Sequence, residues 1–180
     1  VKTQLLRLKP AQIVIVGGLG VVSSAVEAQL KGLNVKPEVR RVSGSDRYAT
    51  SRALATDTWG AGSLGTAYLA TGTNFPDALS AGPAAAHFDG PVILVRGTAS
   101  TIDAATRALL TRLGVDKIKI AGGIGVINAA IEAQAKTIVG ASNVTRNGAG
   151  DRYSTSVAIN LNAFVSASTI YLAKIGSDHA

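Results

Sequence analysis

The stretch AYLATGTNFPDALSAGPAAAHFDGPVILV, residues 67–95, decides the fold of this chain. It opens with a short apolar run, 67–70, which breaks at Gly72 into a polar loop. A run of small residues of helical length follows, and a second apolar segment comes at 91–95. Two short strands joined by a helical crossover form a βαβ unit with parallel strands. We therefore expect the polar loop to lie at the carboxyl edge of a sheet, where ligands of open parallel sheets usually bind.

Strands and helices alternate along the rest of the chain in the same way. Residues 13–16 and 117–121 are short strand candidates, and each leads through a glycine-rich turn into a helix. Ser23, Asp46 and Ser100 are the expected N-caps of three helices, because Ser and Asp side chains accept hydrogen bonds from the first helical amides. This alternation predicts an α/β fold with a mainly parallel sheet and helices on both faces.

The chain also repeats itself. The segment IVIVGGLGVVSSAVEAQL at 13–30 returns as IKIAGGIGVINAAIEAQA at 118–135, a shift of 105 residues. The same shift carries RVSGSDRYATS at 41–51 onto RNGAGDRYSTS at 146–156. Self-similarity at a fixed spacing indicates a repeat architecture, here with repeats of about 105 residues.

The repeat predicts how the chain is divided. We expect one complete repeat at 41–145, with the C-terminal part of a preceding repeat at 1–40. The N-terminal part of a following, truncated repeat is expected at 146–180. In that part YLA at 68–70 returns at 171–173 with a slipped register, and the polar loop has no clear second copy.

Composition narrows the function classes. The chain has 180 residues, with 18 Lys and Arg against 11 Asp and Glu, so its net charge is +7. This excess favours an anionic partner, but the basic residues are scattered, which suits a repetitive polyanion at least as well as nucleic acid. The absence of Cys excludes disulfides and thiolate metal sites. No apolar run approaches the roughly 20 residues of a membrane span. With Val1 first and no Met anywhere, we expect a processed or excised piece of a longer protein.

The glycine-rich turns allow two interpretations. Gly17 and Gly18, and their copies Gly122 and Gly123, lie between a strand and a helix. Such a turn exposes backbone amides that suit a phosphate or carboxylate. It is equally typical of a tight turn that needs glycine for its backbone angles.

The repeated Asp-Arg-Tyr motif also has two interpretations. Asp46 and Asp151 are suited to cap helices, while Arg47 and Arg152 could bind either a neighbouring loop or an anionic polymer. No base partner of defined geometry accompanies the motif. The sequence leaves both interpretations open.

The central polar loop is the third candidate. Thr71, Thr73, Asn74 and Asp77 could hydrogen-bond a sugar, or Asp77 could cap the helix that begins near Pro76. No paired carboxylate suggests glycoside hydrolysis, and neither histidine recurs in the repeat to form a triad. No metal-ligand cluster is visible. We therefore expect no catalytic residues, no cofactor and no metal.

Taken together, DRYATS, YLATGTNFPDALSAGPAAA, GPVILV and IVGGLGVVS resemble the bacterial cell-wall-binding type 2 repeat of Gram-positive surface proteins and autolysins. The resemblance implies a Rossmann- or Toprim-like fold in an exported protein at the cell wall. It implies non-covalent anchoring to an anionic secondary polymer, such as a teichoic-acid-like chain, and tandem modules that pack as trimers. An enzymatic domain such as an amidase could be attached. The family's Pro-Ile-Leu-Leu segment, associated with polymer attachment, matches Pro91-Val92-Ile93-Leu94, with Val in the second position.

The leading hypothesis is therefore a non-catalytic wall-binding module on the cell surface, in which self-association or further repeats supply the missing copies. The alternative is a small enzyme or binding protein for a phosphorylated or nucleotide ligand held by the glycine-rich turns. The residues expected to contact a polymer are arginines, the polar groups of the central loop and the turn glycines: Arg47, Thr71, Thr73, Asn74, Asp77, Arg96, Gly17, Gly18, Gly122, Gly123 and Arg152.

Overall fold

The computed structural model describes residues 1–62 and 64–170. It divides the chain into two compact units, Val1–Gly60 and Ala61–Ala180. The expected repeat boundaries at 41 and 146 fall within strands, so repeats and compact units divide the chain differently. The sequence match at 171–173 lies outside the described residues. Within the described part, no helix combines the length and apolar character needed to cross a membrane.

The first unit holds two parallel strands flanked by helices. The strands pair from Gln12 opposite Glu38 to Val16 opposite Val42. The glycine-rich turn after the first strand leads into the second helix. The elements are α1 (Lys2–Leu8), β1 (Gln12–Val16), α2 (Ser24–Lys31), β2 (Glu38–Val42) and α3 (Arg47–Thr58).

The second unit contains a parallel sheet of four described strands, which confirms the predicted fold class. Its elements are β3 (Thr66–Thr71), α4 (Pro76–His87), β4 (Val92–Val95), α5 (Ala104–Leu113), β5 (Lys117–Ala121), α6 (Ala129–Val139), β6 (Val144–Asn147) and α7 (Arg152–Ala163). The strand order is β4-β3-β5-β6. All three neighbouring pairs are parallel, as helical crossovers require.

The core of the second unit is centred on β3, whose six residues are all buried. Tyr68 and Ala70 belong to a hydrophobic cluster with the small residues of α4 and with Ile159 of α7. Side chains alternate along a strand, so Leu69 faces the other side of the sheet. Buried Leu110 of α5 and Ile131 of α6 belong to the helices of that side. Helices therefore cover both faces.

Two of the three N-caps expected from the sequence are confirmed, and one is wrong. Ser23 accepts a hydrogen bond from the Val26 amide at 3.4 Å, and Asp46 accepts one from the Ala49 amide at 2.8 Å. The expectation for Ser100 is wrong, because α5 begins at Ala104. Asp103 is the N-cap instead and accepts a hydrogen bond from the Thr106 amide at 3.0 Å. The Gln134 side chain of α6 donates to the Ser100 carbonyl and accepts from the Ile102 amide. This bonding holds 100–102 outside the helix.

An arginine clamp recurs in both units. Arg146 of β6 donates from Nη1 to the Gly122 carbonyl at 2.8 Å and from Nε to Glu132 at 2.9 Å. Its copy, Arg41 of β2, donates to the Gly17 carbonyl at 2.6 Å and to Glu27. In each unit the clamp therefore ties the glycine-rich turn to a strand and to a helix.

We predict that Arg146→Ala lowers the free energy of unfolding by about 2 kcal/mol, because it removes partly buried, charge-assisted hydrogen bonds. Lys136→Ala is the matched control, since Lys136 pairs with the same Glu132 but its side chain is 41% exposed. That control should cost about 0.5 kcal/mol or less. Urea denaturation followed by circular dichroism measures both, and equal losses would contradict a special role for Arg146.

Candidate functional site

The carboxyl ends of β3 and β5 form the edge to which the central loop belongs. Ala70 of β3 lies opposite Ala121 of β5, so Thr71 and Gly122 follow side by side. The buried Thr71 hydroxyl is 2.8 Å from the hydroxyl of Thr73, which is exposed in the loop. Thr73 therefore presents a hydroxyl group at the sheet edge, and the buried Thr71 hydroxyl holds it there.

Asp77 enters the same edge from the first turn of α4. Only 8% of its surface is exposed. The N-cap position of α4 is Phe75, and no side chain caps it, so of the two interpretations of Asp77 the capping one is wrong. No described residue donates a hydrogen bond to its carboxylate. Removing most of a carboxylate from water is costly, and this makes Asp77 the unusual group of the site.

Asp77 and Gly122 are fitted to each other. A Cβ atom added to Gly122 would lie 2.8 Å from Oδ2 of Asp77, and Gly122 has a φ of +126°. Both the space and the backbone angle therefore require glycine. The first glycine of the turn after β5 leaves room for the carboxylate of α4.

The electrostatics of Asp77 combine two opposing effects. Burial raises the pKa of its carboxyl group, and the positive charge of Arg152 lowers that pKa. Arg152 is the first residue of α7 and is exposed. The edge therefore pairs a desolvated carboxylate with a guanidinium that reaches solvent, an arrangement typical of binding sites.

Other parts of the protein bond to and pack against both glycine-rich turns. The clamp arginines bind the Gly17 and Gly122 carbonyls, and the backbone of Gly148 lies so close to Gly122 that a side chain at Gly148 would collide with it. The amides of the following helices are engaged by Ser23 and by Asn128, which bonds the Ile131 amide at 3.1 Å. These contacts favour the tight-turn interpretation over a phosphate cradle.

A groove of about 750 Å³ lies elsewhere, along α5 and beside Gln134 of α6. Arg107 and Arg112 line it, together with Asp103. None of the residues expected to contact a polymer belongs to its lining. The alternative hypothesis of a phosphate- or nucleotide-binding protein expects a deep pocket at the carboxyl edge of the sheet. This groove is not such a pocket.

Asn74 and Arg96 belong to the same carboxyl edge, since Val95 of β4 lies opposite Thr71 of β3. Asn74 is exposed in the loop, and Arg96 is exposed just after β4. Gly17, Gly18 and Arg47 belong to the first unit. Three features bring predicted site residues together: the sheet edge, the Asp77–Gly122 contact and the Asp77–Arg152 interaction. The residues concerned are Thr71, Thr73, Asp77, Gly122 and Arg152.

The segment Pro91–Leu94 is mainly structural in character. Ile93 is fully buried, and Val92 and Leu94 pack against the cluster between α4 and α7. Its place in β4 matches the expectation of a buried strand.

Sequence reasoning missed the clamp residues Arg41, Glu27, Arg146 and Glu132. The signal was present, because each Arg and each Glu recurs at the 105-residue shift. Hydrogen bonds from Lys136 and then Arg146 lower the pKa of Glu132, so this carboxylate stays charged and holds the turn.

This chain is similar to known proteins of one family. The sequence model of Cell wall binding domain 2 matches residues 41–132, about half of the chain. The chain belongs to the Cell wall binding domain 2 family. The matched segment begins in β2 of the first unit and ends in α6 of the second. The family is a family of binding domains.

Two curated relatives from Bacillus subtilis (strain 168) are longer proteins. The N-acetylmuramoyl-L-alanine amidase LytC is 28% identical over 171 residues, which make up 95% of this chain and 32% of that protein. The amidase enhancer is 36% identical over 91 residues, 51% of this chain and 12% of that protein. The chain therefore spans a third or less of the length of these relatives.

Two solved structures share the fold. Cwp8 from Clostridium difficile matches with a TM-score of 0.67 and 32% identity, over 85% of this chain and 24% of that one. Cwp6 from the same organism matches with a TM-score of 0.79 and 25% identity, over 90% of this chain and 25% of that one.

We predict that Asp77→Asn stabilises the protein at neutral pH by about 1 kcal/mol, because it removes a desolvated charge that lacks a donor. The folded-state pKa of Asp77 is raised above its ordinary value of 3.8. Ionisation therefore destabilises the folded protein, and this loss of stability appears as the pH rises from 3.8 through the folded-state pKa. Below pH 3.8 the carboxyl group is protonated in both states, and the gain should vanish.

Urea denaturation at several pH values measures this effect. Asp116→Asn, at an exposed aspartate, is the control and should change stability little at any pH. A loss of stability for Asp77→Asn at neutral pH would show that the carboxylate has a strong partner and would contradict the prediction.

Proposed function

We propose that this Cell wall binding domain 2 chain is a non-catalytic module that holds an exported protein at the surface of a Gram-positive cell by binding an anionic secondary wall polymer. The family membership carries the cell-wall part of this proposal. The net charge of +7 supports the choice of an anionic polymer, since a diffuse positive field attracts a repetitive polyanion.

The carboxyl edge of the second unit has the chemistry for such a ligand. The Thr73 hydroxyl, held by Thr71, and the Asp77 carboxylate accept hydrogen bonds from sugar hydroxyls, and Arg152 binds an acidic group of the polymer. Asn74 and Arg96 extend the contact surface, and Arg47 with the Gly17-Gly18 turn offers a counterpart in the first unit. The Pro91–Leu94 strand supports this edge from within the core.

The division into repeats belongs to the same proposal. Residues 41–145 are one complete repeat, 1–40 the end of a preceding one and 146–180 the start of a following one. Further repeats or self-association, in a trimeric arrangement, complete the wall anchor. Any hydrolytic activity belongs to an attached domain, such as an amidase.

Co-sedimentation tests the ligand class. The chain should pellet with native Gram-positive walls and lose most of its retention on walls stripped of anionic polymer. Retention should also fall with added salt, because exposed charges are screened over about 10 Å at 0.1 M. Equal retention on both wall preparations would overturn the anionic-polymer proposal.

We predict that Arg152→Gln weakens wall retention about tenfold, which corresponds to the loss of about 1.4 kcal/mol from one charge-assisted contact. Arg7→Gln removes the same charge from α1 of the first unit, where Arg7 is exposed and bonds Gln4 at 2.8 Å. Binding isotherms on native walls compare the two variants. Equal weakening would mean that net charge alone, and not the edge beside Asp77, determines binding.

A further inference from the structure

The groove along α5 is built from parts of the second unit that hold each other in place. The Gln134 side chain of α6 accepts hydrogen bonds from the Ile102 amide at 2.9 Å and from Nη2 of Arg107 at 2.8 Å. The same side chain donates to the Ser100 carbonyl at 3.2 Å. The segment before α5 and the guanidinium of Arg107 therefore have fixed positions before any ligand arrives, which lowers the entropic cost of binding.

The side of the groove that α5 forms has small residues between two arginines. Successive residues of an α-helix are turned by about 100°, so Ala104, Ala108 and Thr111 lie within about 60° of one another. All three are exposed and line the groove. Arg107 and Arg112, which also line it, follow at about 40° to either side of these three residues. A flat molecule can therefore rest on the small residues with a positive charge at each side.

The charge of Arg107 is not balanced in the way that the clamp arginines are. Arg41 and Arg146 are partly buried and bond the carboxylates of glutamates. Arg107 is also partly buried, but its side chain bonds the neutral amide of Gln134, and no carboxylate of a described residue bonds it. A guanidinium has five N–H groups in a planar fork, which suits a carboxylate or a phosphate group. Arg107 is therefore a positive group that an acidic ligand can pair with.

Asp103 is an acidic residue of the same lining, and its carboxylate belongs to the start of α5. Its Oδ1 atom accepts from the Thr106 amide at 3.0 Å, and its Oδ2 atom accepts from the Thr106 hydroxyl at 2.7 Å. This charge stabilises the amino end of the helix. Because two arginines face one aspartate in this lining, the groove keeps a net positive charge.

We propose that the groove along α5 is a second contact site for the wall polymer and takes a sugar unit that carries a carboxylate or phosphate group. The inference rests on the proposed function and adds a site separate from the carboxyl edge beside Asp77. Arg107 binds the acidic group, the hydroxyl of Thr111 bonds a sugar hydroxyl, and Ala104 and Ala108 pack against the C–H face of the ring. The volume of about 750 Å³ fits this assignment, since ligand sites usually measure about 300–1,000 Å³.

Nuclear magnetic resonance titration of the ¹⁵N-labelled chain tests the ligand class directly. The probes are glucuronate and glucose 6-phosphate, with glucose as the neutral control and inorganic phosphate as the control without a sugar, all at one ionic strength. We expect saturable shifts of the Ile102 and Arg107 amide signals and of the Gln134 side-chain signal with at least one acidic sugar. Glucose should leave them in place, and inorganic phosphate should bind more weakly than the acidic sugar. The acidic sugar that binds more tightly identifies the acidic group.

Arg107→Gln tests the role of the guanidinium in the same titration. We expect it to weaken binding of the acidic sugar about tenfold, as the loss of one charge-assisted contact does. Lys117→Gln is the matched control, because it removes one positive charge at the exposed start of β5, outside the groove. Retention on native walls should likewise fall for Arg107→Gln and change little for Lys117→Gln.

The inference is overturned if neither acidic sugar shifts the groove signals, which is read on the unaltered chain and does not depend on the folding of a variant. Equal effects of Arg107→Gln and Lys117→Gln would also overturn it, as would equal affinity for inorganic phosphate. If the groove fails in this way while the chain still prefers native walls to stripped ones, the anionic-polymer function stands without this site. Equal retention on native and stripped walls would instead remove that function and this inference together.

Discussion

The rest of this structure depends on one hydrogen bond, which an arginine side chain donates to the backbone carbonyl of a glycine. Arg146 reaches from β6 to the Gly122 carbonyl and to Glu132, so one side chain fixes the last strand, the turn after β5 and helix α6 together. The turn then has one conformation, with Gly122 at a φ that other residues rarely adopt. Because Gly122 has no side chain, the carboxylate of Asp77 can occupy the space beside it. The position of the candidate site therefore follows from the clamp.

The site itself is built at a cost to stability. Asp77 keeps a carboxylate away from water without a described hydrogen-bond donor, and the exposed Arg152 offsets only part of that cost. Structural carboxylates of this chain look different. Glu132 is bonded by Lys136 and Arg146, which lower its pKa, and Asp151 is bonded by the Ser154 amide at 2.7 Å, which also lowers its pKa. Hydrogen bonds thus stabilise the charge of Glu132 and Asp151, whereas burial disfavours the charge of Asp77.

Much of the fold could be predicted because local chemistry and tertiary structure agree. The alternation of strands and helices, the caps Ser23 and Asp46 and the glycine-rich turns depend on short-range rules that the chain obeys. Ser100 could not be recognised as a non-cap, because its place is decided by Gln134, which is distant in sequence. The isolation of Asp77 is equally a tertiary fact. A sequence shows that an aspartate stands near the start of a helix, but not that the helix begins one residue after Phe75 and leaves the carboxylate without a donor.

The family match and the second compact unit cover different parts of the chain. The family match begins in β2 and ends in α6, but the second unit includes β6 and α7, which are the copies of β2 and α3. The second unit therefore extends past the end of the family match. The sheet pairing of β5 with β6 and the packing of α4 on α7 join residues inside the match to residues beyond it, so both sets share one hydrophobic core. A cut at the end of the family match would separate Glu132 from Arg146 and open the turn that positions Asp77. In this chain, the clamp and the sheet pairing hold together residues that the family match alone would divide.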